Sequence, residues 1–231
     1  MFTVEEFASH FDLAYLLPEL QKKDIDEAVN IAATYQLATL NLNPCWVEYA
    51  NEQFIKRGSQ VRASAVIGFP YGANTLETKM FEAQQMIDKG ASALDMVINI
   101  GRLKDNDFDY IREEVRAFAR IAKDKTITKL IFEVAFLTGE QIATLTKICC
   151  EEGIDYVKTA TGTQNFPDIE QVNAMQQNLS GHTKIKVSGV PRTFTLPAAL
   201  FLFENFDCGL IGTRSAGKVV EQYRKYLNGQ V

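Results

Sequence analysis

The chain is poor in the residues that build metal centres and disulfide frameworks. Its 231 residues include two histidines, His10 and His182, and four cysteines, Cys45, Cys149, Cys150 and Cys208. No CxxC pair occurs and no cysteine stands at ligand spacing from a histidine, so neither a metal site nor a set of disulfides is expected. Cys149 and Cys150 adjoin on a helical stretch, where they read as small apolar packing residues. No apolar run approaches the roughly eighteen residues of a membrane span. The opening MFTVEEFASHFDLAYLLPEL has no basic segment followed by an apolar one. A signal peptide is therefore not expected, and the chain reads as a reduced, cytoplasmic protein that does not bind membranes. Basic charge is also in deficit, 24 Lys and Arg against 29 Asp and Glu for a net charge of -5, so nucleic acid is not an expected partner. An acidic total still leaves room for a phosphorylated substrate, because helix N-termini bind phosphate locally.

What is present is alternation. Short apolar, β-rich runs fall at 10–16, 38–43, 62–69, 93–99, 129–135, 156–161, 184–189 and 208–213, each near Gly, Pro, Asn or Asp. Helical patterns lie between and after them, at 23–35, 44–57, 75–89, 108–122, 139–152, 167–178, 193–205 and 214–228. Thr75, Asp107 and Thr138 stand where N-caps belong, Pro167 suits a first turn, and Gly90 and Gly153 follow helices where a left-handed residue is wanted. No linker or low-complexity tract divides the chain. Strict β/α alternation implies a parallel sheet, and eight units in this length match a single (β/α)8 TIM barrel spanning 1–231. A doubly wound open sheet is the alternative, but the GxGxxG turn expected after its first strand is missing.

Such a barrel places its chemistry at the C-terminal ends of the strands. Three ionisable residues interrupt otherwise apolar strands: Asp95, Lys158 and Lys186. Side chains alternate along a strand, so Val157, Ile185 and Val187 face the helices if both lysines face the barrel interior. A structural ion-pair network would account for one such lysine. Two lysines and an aspartate on strands four, six and seven of one barrel point further, to an amine nucleophile. A free lysine, with a pKa of about 10.4, is protonated at neutral pH. Burial and a neighbouring ammonium both lower that value and expose the nucleophile, while Asp95 could move protons or hold the second ammonium.

Four stretches, GFPYGANTLETKMFEA (68–83), ALDMVINIGRL (93–103), DYVKTATG (155–162) and KVSGVPRT (186–193), together with NLNPCWV (41–47), resemble the deoxyribose-phosphate aldolase family. The resemblance runs from about residue 10 to residue 217, in order. It implies a class I, metal-free aldolase without cofactor that cleaves 2-deoxy-D-ribose 5-phosphate to acetaldehyde and D-glyceraldehyde 3-phosphate. By motif, Lys158 would be the Schiff-base lysine, Lys186 the lysine that depresses its pKa, and Asp95 the proton-relay carboxylate. Asp12 matches an acidic residue of the substrate pocket. Thr161, Gly189, Arg214 and Ser215 would contact substrate, the last three at the phosphate end. The partners so implied are small molecules, a phosphorylated sugar and acetaldehyde; a homodimer is an expectation the sequence leaves open.

The chain departs from that family at the phosphate end. Val190 and Pro191 follow Gly189 where a second glycine and an apolar residue are common, and Pro191 removes a backbone N–H. Arg214 stands where serine is usual, Ala14 where threonine is, and Ala160 replaces the serine of KTSTG. Arg214 has two readings, a surface arginine pairing with Glu221, or a guanidinium replacing contacts weakened by Val190 and Pro191. Rivals on the same barrel are a Schiff-base aldolase for another, unphosphorylated aldehyde pair, a transaldolase, and a pyridoxal phosphate enzyme. A barrel that binds a metabolite without turnover is the reading from another class. A metal-dependent aldolase lacks an obvious ligand set.

Overall fold

Alternation along the chain becomes closure in space. In the computed structural model, which describes residues 2–164, 166–191 and 193–230, eight parallel strands form a closed barrel in sequence order. They are β1 (Phe11–Tyr15), β2 (Thr39–Leu42), β3 (Ala63–Ile67), β4 (Ala93–Val97), β5 (Ile127–Ile131), β6 (Tyr156–Lys158), β7 (Lys184–Val187) and β8 (Cys208–Thr213). The ring shuts where Phe11, Asp12 and Leu13 of β1 pair with Ile211, Gly212 and Thr213 of β8. Around it lie α1 (Val4–Ala8), α2 (Lys22–Tyr35), α3 (Val47–Lys56), α4 (Leu76–Asp88), α5 (Ile100–Lys104), α6 (Phe108–Ala122), α7 (Gly139–Glu152), α8 (Ile169–Gln176), α9 (Leu196–Asn205) and α10 (Ala216–Leu227). Among the described residues, no helix is long and apolar enough to cross a membrane.

Period-two alternation decides what each strand shows to each layer. Leu13, Leu40, Leu94, Leu130, Val157 and Ile185 are fully buried and alternate with Asp12, Asn41, Asp95, Lys129, Lys158 and Lys186. The second set bonds across the ring and so lines the interior, which sends the first set outward beneath the helices.

The caps form as expected at Thr75, Asp107 and Thr138, whose side chains accept from Thr78, Tyr110 and Gln141 backbone N–H groups. Gly90 and Gly153 both take φ 78°. Elsewhere the boundaries move. Strand β6 ends at Lys158 rather than residue 161, because Thr161 turns aside to bond Glu133. Strand β5 starts at Ile127 and stops at Ile131, where Glu133 takes a left-handed φ of 55° and a 3-10 turn, Val134–Phe136, follows. Pro167 lies before helix α8, which Asp168 caps instead. Two five-residue helices, α1 and α5, lie outside the sequence reading. Cys149 is buried in α7 and Cys150 half-buried beside it. Arg192, in the KVSGVPRT stretch, lies outside the described residues.

Candidate active site

Five ionisable side chains from five strands converge inside the barrel. Asp95 on β4 is fully buried, and its Oδ2 accepts from Lys158 Nζ at 2.6 Å, Lys186 Nζ at 2.6 Å and Asn41 Nδ2 at 3.1 Å. Its Oδ1 lies 3.1 Å from Ser64 Oγ and 3.6 Å from Lys129 Nζ. Asp12 on β1, also fully buried, accepts from Lys129 Nζ at 2.6 Å and Lys186 Nζ at 2.5 Å through Oδ2, and from Thr39 Oγ1 at 2.6 Å through Oδ1. Gly212 makes room for this: a Cβ there would stand 3.2 Å from Lys186 Cε and 3.1 Å from Ser188 Cβ.

Charge counting picks out one lysine. Three ammonium groups and two carboxylates leave one uncompensated positive charge in a medium that penalises it. Lys129 and Lys186 each reach both carboxylates, whereas Lys158 reaches only Asp95. Lys158 is therefore the group that most readily gives up its proton. Burial first, with Lys186 adding to it, brings its pKa down to about 8 against the pull of Asp95. For Lys129 burial acts the same way, but Asp12 and Asp95 overcome it and raise the pKa above the ordinary lysine value. Burial would raise both carboxyls; Lys129 and Lys186 outweigh it and hold Asp12 at about 2. Lys158 and Lys186 likewise hold Asp95 well below the usual range.

Access picks out the same lysine. A cavity of about 170 Å³ opens at the C-terminal ends of the strands, and of the three lysines only Lys158 lines it. Around Lys158 stand Asn41, Thr161, Ser188 and Gly189; Ala14, Leu16, Val190 and Arg214 line it as well. Gly189 takes φ 76°, and a Cβ there would meet Ala160 Cβ at 2.8 Å, so only glycine lets the β6 and β7 loops meet.

The sequence-predicted residues thus fall in two groups. Lys158, Lys186, Asp95 and Asp12 form one bonded network, with Asp12 in its buried part and not on the cavity wall. Thr161, Gly189 and Arg214 line the cavity, while Ser215 lines a neighbouring cavity that Arg214 shares. Arg214 does not pair with Glu221, which bonds Arg224 at 2.7 Å; its guanidinium lies 4.6 Å above the Tyr15 ring.

Sequence reasoning missed Lys129, whose place at the head of KLIFEVA resembles a solvated strand end. The available signal was its even spacing from Ile131 and Glu133, the same interior face. It also missed Glu133, which is fully buried. One Glu133 oxygen accepts from the backbone and the hydroxyl of Thr161, and the other has no hydrogen-bond partner among the described residues. Burial pushes this carboxyl up. No group of three or more His, Cys, Asp or Glu side chains among the described residues is placed to hold a metal ion.

A buried amine that titrates near neutrality, opening on a small cavity and backed by a carboxylate network, can add to a carbonyl carbon and exchange protons with the adduct. Residues 7–195 match the model of the DeoC/LacD family aldolase. The chain is similar to deoxyribose-phosphate aldolase 2 of Bacillus licheniformis, 38% identical over 187 residues, 80% of this chain and 83% of that one. It is also similar to the deoxyribose-phosphate aldolase of a Thermoanaerobacter species, 34% identical over 221 residues, 94% of this chain and 97% of that one. Among solved structures, the tetrameric deoxyribose phosphate aldolase of Aeropyrum pernix superposes with a TM-score of 0.84 at 27% identity, covering 97% of this chain and 93% of that one.

Proposed function

Because the chain belongs to the DeoC/LacD aldolase family, we propose that it is a class I aldolase cleaving 2-deoxy-D-ribose 5-phosphate to acetaldehyde and D-glyceraldehyde 3-phosphate through an imine on Lys158. One observation carries this reading: the only cluster lysine on the cavity wall is also the one whose pKa falls to about 8.

In this reading, the neutral Lys158 amine attacks the sugar's aldehyde carbon, and the oxygen leaves as water to give an iminium. Loss of the C3 hydroxyl proton then breaks the C2–C3 bond, and its electron pair enters the enamine. Protonation at C2 and hydrolysis release acetaldehyde and restore the amine. Asp95 and Lys186 serve the proton transfers. The iminium nitrogen keeps one N–H where the ammonium had three, so Asp95 accepts from fewer donors in the intermediate that needs a base. Thr161, Gly189, Arg214 and Ser215 would meet the substrate's outer, phosphorylated end, and Asp12 acts through Lys129 and Lys186. The small-molecule chemistry belongs to a cytoplasmic enzyme.

Borohydride reduction in the presence of acetaldehyde, followed by intact mass and peptide mapping, tests this directly. One ethyl group on Lys158 is expected, with both adduct and activity lost in Lys158→Ala. An adduct on Lys186 would reverse the assignment, and no adduct together with EDTA-sensitive cleavage would sink the Schiff-base reading.

A further inference from the structure

Glu133 is unfavourable to the fold in two ways, and both lead to one residue on the cavity wall. Its backbone takes φ 55° and ψ 59°, the left-handed region that disfavours a residue with a side chain. Its carboxyl is fully buried, and Oε1 has no hydrogen-bond partner among the described residues. A half-satisfied buried carboxyl costs stability, and a strained backbone persists only where its surroundings hold it. Among the described residues, the hydrogen bonds of this carboxyl run to Thr161: Oε2 accepts from the Thr161 N–H at 3.1 Å and from the Thr161 hydroxyl. Thr161 lines the cavity and Glu133 does not.

Thr161 carries the hold onward. Its Oγ1 accepts from Thr163 N at 3.1 Å and meets Thr163 Oγ1 at 2.9 Å, closing a turn around Gly162. Gly162 takes φ 82° and lies backbone to backbone against Gly189: a Cβ built on Gly162 would stand 3.5 Å from Gly189 Cα. Thr161, Gly162, Thr163 and Gly189 all line the cavity, so this contact is part of its wall. Two glycines bring no side chains to interlock, and the register of the two loops has to come from elsewhere. Just before the turn it comes from β7, where Thr159 Oγ1 donates to Ser188 O at 2.8 Å and Ser188 Oγ to Ala160 O at 2.5 Å. From Thr161 onward the hold is on the other side, from β5 through Glu133.

We propose that Glu133 is a positioning residue: by clamping Thr161 from the β5 side it sets the turn 161–163 against Gly189, and so places the wall that receives the substrate's phosphorylated end. The inference rests on the aldolase reading above. Glu133 takes no part in the bond-making at Lys158. It acts on binding, which ground state and transition state share, so its loss falls on KM more than on kcat. Leucine would fill the same space without burying an acceptor, so the carboxyl serves the two Thr161 hydrogens. The amide oxygen of a glutamine can accept the same two.

The test measures cleavage of 2-deoxy-D-ribose 5-phosphate and of unphosphorylated 2-deoxy-D-ribose, alongside the borohydride adduct with acetaldehyde at Lys158. Glu133→Ala, which leaves space, and Glu133→Leu, which fills it, should each raise KM for the phosphate about tenfold or more with kcat little changed, the scale of a displaced contact. The unphosphorylated sugar and the adduct should be affected far less. Glu133→Gln should stay within about threefold of wild type in KM, because both Thr161 hydrogens keep an acceptor. Thr161→Val loses the hydroxyl half of the clamp, so its effect on KM and that of Glu133→Ala should fall short of multiplying in the double variant. Equal losses on both sugars and on the adduct overturn the proposal, as do full multiplication or a Glu133→Gln KM as high as that of Glu133→Ala. Should neither Glu133→Ala nor Glu133→Leu fold, Thr161→Val decides, and an unchanged KM there overturns it. The adduct separates the two levels: with the adduct present and KM unmoved only this inference fails, and without the adduct in wild type the aldolase reading fails too.

Discussion

At the scale of single residues, the site depends on unequal sharing. Lys129 and Lys186 each touch two carboxylates and Lys158 one, so deprotonation falls on the residue that faces the cavity. The sign of the pH dependence follows. A pKa of about 8, below the ordinary 10.5, means the neutral amine grows as pH rises through 8. We expect kcat/KM to climb between about pH 6 and 8 and then level. Lys186→Leu should move that limb upward for two reasons: an ammonium that lowers the Lys158 pKa is gone, and Asp95, freed of one donor, pulls harder on the Lys158 proton. A pH–rate profile of the variant checks this, and an unmoved limb would mean Lys186 does not tune the nucleophile. Lys158, Lys186 and Asp95 were legible in the sequence because each interrupts an apolar strand. Lys129 was not, because a lysine opening an apolar run looks the same whether it meets water or a carboxylate from β1. That partnership is a fact of barrel closure, invisible to local pattern.

At the scale of elements, β4 has to hold Asp95 still, and a second buried pair does that. Lys79 on α4 and Glu114 on α6 are both fully buried and meet at 2.6 Å. Lys79 Nζ also donates to Val97 O at 2.8 Å, and Glu114 Oε2 accepts from Asn99 N at 2.9 Å. The pair thereby staples two helices to the C-terminal end of the strand carrying Asp95. Burial lowers the Lys79 pKa despite Glu114, a sign that the pair is costly to assemble and works by fixing geometry. Lys79→Met leaves a buried carboxylate without its counter-charge, and should cost about 3–5 kcal/mol by chemical denaturation. Glu114→Gln in that background should recover part of the loss by removing the stranded charge. A cost under about 1 kcal/mol would show that water or another cation reaches Glu114. Helices α4 and α6 were readable from apolar periodicity and from caps at Thr75 and Asp107. Helices α1 and α5 were not, since five residues span too few turns to show a period. The early end of β6 also escaped, because the Thr161–Glu133 bond that stops it joins residues far apart in sequence.

At the scale of the whole molecule, closing the ring and making the site are tasks given to different side chains. The interior faces of β1 and of β4 to β7 hold the charges, whereas the seam between first and last strands is covered on its outside by aromatic rings. Phe7 of α1 stacks on Tyr223 of α10 with centroids 4.0 Å apart, and meets Phe11 at 5.1 Å and Phe203 at 5.9 Å. The Tyr223 hydroxyl donates to Phe2 O at 2.8 Å. These rings bring the N-terminal helix against the C-terminal one, so chain ends separated by the whole sequence shut the β1–β8 seam together. Eightfold alternation made the barrel legible from the sequence. It could not show this clasp, since nothing in VEEFA says which helix it will cover. Phe7 is fully buried, so Phe7→Ala removes a large side chain from a packed cluster and should cost about 3–5 kcal/mol. For a chain of this size each kcal/mol shifts Tm by roughly 2–4 °C, so Tm should fall by about 10 °C or more. Phe7 touches none of the five charged residues, so below the transition kcat and the Lys158 pH limb should match wild type. Thermal melting paired with a pH–rate profile at low temperature reads both. A changed pH limb in the folded variant would show that the rings over the seam and the charge network are coupled.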